Sequence, residues 1–114
     1  MDFNKLTDDE ILNIANPIMD NLMEGSSERN HQKHTRDFTN RLKAIVTKEN
    51  LLEQWKENKI GEFSKREFLS IIHKSDTIFV LWKQWFTNSH EEFLAEICII
   101  ERDGKLLVDH VWIR

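Results

Sequence analysis

Few side chains in this sequence are equipped for chemistry, and His110 leads them. An imidazole changes charge near neutral pH, so a histidine beside an apolar surface can serve as a general base. His110 stands two residues before Trp112, a ring large enough to wall a small-molecule site. His31, His34 and Asp37 are spaced i, i+3 and i+6, so on a helix they would share a face as transition-metal ligands do. Their neighbours Glu28, Arg29, Asn30, Gln32 and Lys33 read as a solvated surface with nothing to orient such ligands, so no metal site is assigned. Cys98, the one cysteine, would need a nearby base or positive potential to act as a nucleophile. It reads instead as a packing residue. Trp82, Trp85, Phe86 and Trp112 could stack a flat ligand, or could simply fill a core and an interface.

These residues are positioned by the stretch 92–114, EFLAEICIIERDGKLLVDHVWIR. Asp103-Gly104 between two alternating runs is a strong hairpin signal, because a type I′ turn needs positive φ at both central residues. A two-residue loop pairs Arg102 with Lys105. Strict alternation then puts Phe93, Ala95, Ile97, Ile99, Leu106, Val108, His110 and Trp112 on one face. Leu94, Glu96, Cys98, Ile100, Leu107, Asp109, Val111 and Ile113 fall on the other. The first face is expected to meet the helices, with His110 opposite Ile97 and Trp112 opposite Ala95. On this reading Asp109 lies across from Cys98 and raises its thiol pKa, and Asp109 and His110 point apart and form no dyad. The second face, apolar but carrying Glu96 and Asp109, would suit a subunit interface.

The remaining elements follow in order. Thr7 and Glu10 form a capping box, and Ile11, Ile14, Ala15, Ile18, Leu22 and Met23 recur at helical spacing. Pro17 predicts a kink or break near Asn16, and Gly25-Ser26-Ser27 a stop or linker. Residues 28–40 read as a short helix or ordered loop, polar except for Phe38. Phe38, Leu42, Ile45 and Val46 make the next apolar stripe. A helix is expected over 48–59, ending near Gly61. Strands are expected over 66–73, 77–86, 92–101 and 105–113. A turn at Ser75-Asp76 would set Ile72 opposite Phe79, Ser70 opposite Leu81, Ile71 opposite Val80, Leu69 opposite Trp82, Arg66 opposite Trp85 and Glu67 opposite Gln84. Helices first and strands second predict an α+β fold, with N-terminal helices packed on a curved, mostly four-stranded antiparallel sheet.

The bulk numbers exclude several classes. At 114 residues the chain suits one domain, 1–114, with helices over about 7–60 and a sheet over about 62–114. A net charge of −4 with 32% charged residues argues against a general nucleic-acid binder or an anionic-membrane binder. There is no apolar run of membrane-spanning length and no basic start leading into one, so a cytoplasmic location is expected. With three glycines in all and no H-E-x-x-H or G-x-S-x-G, nothing points to a cofactor, a phosphate loop or those hydrolases.

Asn58-Lys59-Ile60-Gly61, then G-E-F-x-x-R-E-F-L from Gly61 to Leu69 and the closing D-G-K-L-L-V-D-H-V-W carry a resemblance. The chain resembles the nuclear-transport-factor-2-like superfamily, a cystatin-like α+β cone, and within it small bacterial domains of unknown function. The resemblance implies a pocket between helices and sheet and a homodimer through the outer sheet face. Its catalytic residues do not carry over. Steroid-isomerase relatives use a tyrosine, and this chain has Tyr 0; dehydratase relatives pair His with Asp, and only His110 matches. The expectation is therefore a non-catalytic homodimer whose pocket takes a small apolar ligand against His110, Trp112, Ala95, Ile97 and Trp82. The alternatives are an isomerase-, dehydratase- or cyclase-like enzyme with His110 as base, or a protein-interaction module using the outer face.

Overall fold

A computed structural model describes residues 2–114. After a 3-10 turn at Phe3–Lys5 come helices α1 (Asp8–Ser27), α2 (His31–His34), α3 (Asn40–Ile45) and α4 (Lys48–Lys56). Strands β1 (Phe63–His73), β2 (Thr77–Phe86), β3 (Phe93–Arg102) and β4 (Lys105–Ile113) follow. The strands form one open antiparallel sheet in the order β1-β2-β3-β4, giving the expected α+β architecture. Among the described residues no helix is long and apolar enough to cross a membrane.

The local grammar of the sequence explains the helix starts. The Thr7 hydroxyl accepts from the Glu10 N–H at 3.1 Å, and the Glu10 carboxylate accepts from the Thr7 N–H at 3.0 Å. The Thr39 and Thr47 hydroxyls cap α3 and α4 more simply, each accepting from the N–H three residues on, Leu42 and Asn50, without a return bond. The predicted break at Pro17 does not occur, and α1 runs unbroken through it. Pro17 and Asn13, whose carbonyl loses its partner N–H to the proline, are both exposed residues. Gly25-Ser26-Ser27 is not a linker either: it forms the last turn of α1. Gly25 is there for closeness, since a Cβ on it would lie 2.5 Å from the His34 backbone nitrogen. The last helix ends at Lys56, earlier than expected.

Ile11, Ala15, Met19, Leu22 and Met23 from α1 pack onto Ile78, Val80 and Trp82 of β2, Ala95, Ile97 and Ile99 of β3, and Val108 of β4. Phe3, absent from the sequence reading, is also fully buried here.

The two central strands keep strict alternation, but both edge strands are bulged. At the Asp103-Gly104 turn φ is 54° and 77°, and Arg102 pairs with Lys105 as expected. The register then shifts between Cys98 and Ile99, so that Ile99 pairs with Val108 but Cys98 pairs with His110. Asp109 is the extra residue. Beyond it every side chain changes face: Val111 and Ile113 join the core, while His110 and Trp112 move to the outer face. The expected pairs His110–Ile97 and Trp112–Ala95 are thus corrected to Val111–Ile97 and Ile113–Ala95. The bulge coincides with the arrival of residues 37–39 beside β4. Thr39 N–H donates to the Val108 carbonyl at 2.9 Å, and Val108 N–H donates to the Asp37 carbonyl at 2.7 Å.

On β1 the pairs Ile72–Phe79, Ile71–Val80 and Ser70–Leu81 hold. A shift after Ser70 makes Leu69 extra, so Trp82 meets Phe68 and Gln84 meets Arg66, not the expected Leu69 and Glu67. Trp85 meets Lys65 in place of Arg66, and a second shift between Lys65 and Phe63 returns Phe63 to the core side.

Candidate functional site

The helices do not close the sheet completely. A cleft of about 720 Å³ opens between α2, α3 and α4 on one side and the ends of β2 and β4 on the other. Its walls are largely apolar: Met23, Phe38, Leu42, Leu51, Phe86 and Ile113 all contribute. A narrower recess of about 170 Å³ shares Met23, Ser26, Trp55, Asn58 and Phe86 with it.

Two amphipathic rings organise the cleft. Trp55, buried on α4, donates its indole N–H to the Ser26 hydroxyl at 3.2 Å. His34 sits edge-to-face against both Trp55 and Phe38, with ring centroids 5.7 Å away in each case. Its Nδ1 lies 2.9 Å from the Leu22 carbonyl oxygen, which can only accept, so Nδ1 carries the hydrogen. Burial pushes the His34 pKa down, with the Leu22 bond opposing and nearby His31 reinforcing it. His34 is therefore a neutral imidazole at pH 7 whose Nε2 offers a lone pair, without a hydrogen-bond partner among the described residues. In the cleft wall, that arrangement can accept one hydrogen bond from a ligand.

The residues singled out from the sequence are dispersed. Trp82, Ala95 and Ile97 face the helices but are sealed in the core, at 1%, 0% and 0% exposure. Trp112 lies on the outer face near the cleft rim, 47% exposed, under the Arg114 guanidinium at 3.9 Å. His110 lies on the outer face, where its Nε2 is 2.7 Å from a Glu96 carboxylate oxygen. The inward position on which a role as pocket base depended is occupied by Val111. His31 reaches the Val46 carbonyl at 3.2 Å, on a different element from His34's partner, and Asp37 pairs with Arg36. Among the described residues no group of three or more His, Cys, Asp or Glu could hold a metal ion.

Cys98 is buried, and its thiol is pushed up to about 11. Burial is the main cause, and Asp109 and Glu96 add to it. Asp109 itself, freed from the regular ladder, accepts from the Thr39 hydroxyl at 2.7 Å and from Arg41 at 3.1 Å. Burial works to raise its pKa, but these two partners outweigh it and hold the carboxyl below its usual range.

Of the cleft residues, the sequence reading weighed His34 only as a metal ligand and Phe86 only among rings that could stack a flat ligand, while Met23 and Trp55 stood in helix stripes. Leu51 and Trp55 at i and i+4 on a capped helix marked a buried face, but nothing marked it as a cleft wall.

No family model matches the chain, and no curated protein matches it. Among solved structures it is similar to an NTF2-like protein of unknown function from Pseudomonas putida KT2440. The two share 9% identity and superpose with a TM-score of 0.61, over 89% of this chain and 83% of the other. The likeness is one of fold: the chain has the NTF2-like α+β architecture that its sequence resembles.

Proposed function

We propose that this chain is a non-catalytic domain that binds a small, mostly apolar ligand in the cleft between helices and sheet and functions as a homodimer. The observation that carries the reading is the cleft itself. At about 720 Å³ it lies in the range of small-molecule sites, which are typically about 300–1,000 Å³ and apolar with a few polar groups. His34 and the Trp55–Ser26 pair are such groups. The enzyme alternative draws no support from the geometry, since His110 faces away from the cleft and toward Glu96.

The outer sheet face favours the dimer. Phe79, Leu81, Trp85, Leu94, Ile100 and Leu107 remain partly exposed on it. Four strands of about ten residues cover roughly 33 by 19 Å, or about 600 Å². That approaches the roughly 800 Å² that each partner contributes to a stable interface. A second copy supplies the same apolar surface in self-complementary form.

Quenching of tryptophan fluorescence by an apolar naphthalene probe tests the cleft. The native chain should bind it, and Val46→Trp, which fills the cleft, should abolish binding. Equal binding by both proteins would overturn the reading. Light scattering at micromolar concentration tests the dimer: twice the 13.7 kDa chain mass is expected, falling to one chain for Leu81→Arg. A monomer in the native protein would remove the dimer and leave the face to a different protein partner.

A further inference from the structure

Gln84 is buried where the fold has no evident need of an amide. It stands on the helix-facing side of β2, two residues before Phe86, which lines the cleft. Its exposure is 0%. Nε2 donates to the Met23 thioether at 3.5 Å, and Oε1 has no hydrogen-bond partner among the described residues. A thioether is a weak acceptor. Leaving a buried amide oxygen unpaired is destabilising, a penalty that leucine of similar shape would not incur.

A second unpaired group lies on the residue paired with it across the strands. Arg66 pairs with Gln84 across β1 and β2, and its Nη1 is buried without a partner, while Nη2 is held by the Asn16 carbonyl and the Asp20 carboxylate. A donor and an acceptor thus lie on opposed positions of the inner face. What separates Gln84 from the cleft is Met23, whose side chain borders both the cleft and the recess beside it. Methionine is unbranched and adapts its shape easily.

We propose that Met23 is a displaceable cover, and that the cleft's ligand is an apolar body ending in a carboxamide, whose head pairs with Gln84. The ligand N–H donates to Gln84 Oε1, and the ligand carbonyl accepts from Gln84 Nε2 once Met23 swings aside. This rests on the ligand-binding reading of the cleft and assigns its polar end.

The test uses ¹⁵N-labelled protein with 2-naphthamide and 2-methylnaphthalene, which share a body and differ in the head. The Trp55 indole N–H reports cleft occupancy, and the Gln84 side-chain amide reports the head. Both compounds should shift Trp55, and 2-naphthamide alone should shift Gln84 as a hydrogen-bonded partner. 2-Naphthamide should bind roughly tenfold tighter, because a site built to hydrogen-bond rejects an analogue that cannot. Gln84→Leu should erase that preference and leave 2-methylnaphthalene unaffected. A shifted Trp55 with an unmoved Gln84 amide, or equal affinities for the two compounds, would overturn the head assignment while the cleft reading stands. An unmoved Trp55 with both compounds would overturn the cleft reading and this assignment together. The Gln84 amide signal needs no variant, so the test does not depend on Gln84→Leu folding.

Discussion

Replacing Gly25 by alanine sets two effects of opposite sign against each other. Gly25 lies within α1, where alanine is favoured over glycine by about 1 kcal/mol. The added methyl, however, would sit 2.5 Å from the His34 nitrogen, 2.6 Å from its Cα and 3.0 Å from its Cβ. Carbon atoms pack best at about 3.5–4.0 Å, so α2 would have to retreat by about 1 Å. It cannot do so freely. Asn30 N–H donates to the Gly25 carbonyl at 2.8 Å, His34 Nδ1 to the Leu22 carbonyl at 2.9 Å, and the Asn21 amide to the Lys33 carbonyl at 2.9 Å. Overpacking of this kind costs about 1–3 kcal/mol, and each loosened bond adds about 1. The clash therefore outweighs the propensity, and Gly25→Ala should be less stable by about 1–3 kcal/mol, or about 4–12 °C in Tm. Urea unfolding monitored by circular dichroism measures this, with Asn13→Ala as the control. Asn13 is an exposed position of the same helix, where propensity acts alone. A Gly25→Ala midpoint that rises with the control would refute the close approach of α1 and α2, and with it the position of His34 in the cleft wall.

Two further predictions concern the bulged edge and the thiol. Asp109→Ala should destabilise the protein by about 1–2 kcal/mol at pH 7, through loss of the Thr39 and Arg41 bonds. Because the folded carboxyl lies below its unfolded value, that stability is present above about pH 4 and is lost as the pH falls through the folded pKa. The gap between the urea midpoints of the two proteins should narrow as the pH is lowered below about 4, and a gap that does not narrow would contradict the assignment. Cys98, with its thiol pushed up to about 11, should be about a thousandth thiolate at pH 8 as well as buried. An aromatic disulfide reagent should therefore label the native protein far more slowly than the urea-unfolded chain, and equal rates would refute the burial.

Much of the fold could be read from local signals whose cause is local. The Thr7–Glu10 box, the Asp103-Gly104 turn and the four strands appear close to where composition and capping put them. Gly25 shows the opposite case. A glycine near a serine pair looks like a stop, and only the distant α2 explains it as a point of close approach. The cleft was less legible still. His34 is separated in sequence from Trp55, Phe86 and Ile113, and no spacing connects residues that meet only across the layers. Gln84 stood in the strand pattern only as the position opposite Glu67, and its lack of a partner is a property of the packed interior.

The edge strands carry the sharper lesson, because their error had a trace in the sequence. Helix-facing residues run 78, 80, 82, 84 and 86 on β2, and 93, 95, 97 and 99 on β3, in unbroken steps of two. On β4 they run 106, 108, 111 and 113, and on β1 they run 63, 66, 68 and 71. Each step of three is a bulge. Strict alternation placed His110 and Trp112 inward only by sending Val111 and Ile113 outward, a trade of two aliphatic side chains for a polar ring and the largest side chain. A bulge before His110 satisfies all four, at the cost of one residue, Asp109, that must find its partners outside the ladder. It finds them in Thr39 and Arg41, at the point where residues 37–39 lie along the edge of β4. Bulges bend a strand and increase its local twist, and here both edge strands carry them while the two central strands do not. Deleting Asp109 should therefore restore an unbroken ladder while leaving His110 opposite Cys98 on the outer face and Val111 and Ile113 inward, which cross-strand nuclear Overhauser contacts between His110 and Cys98 would check.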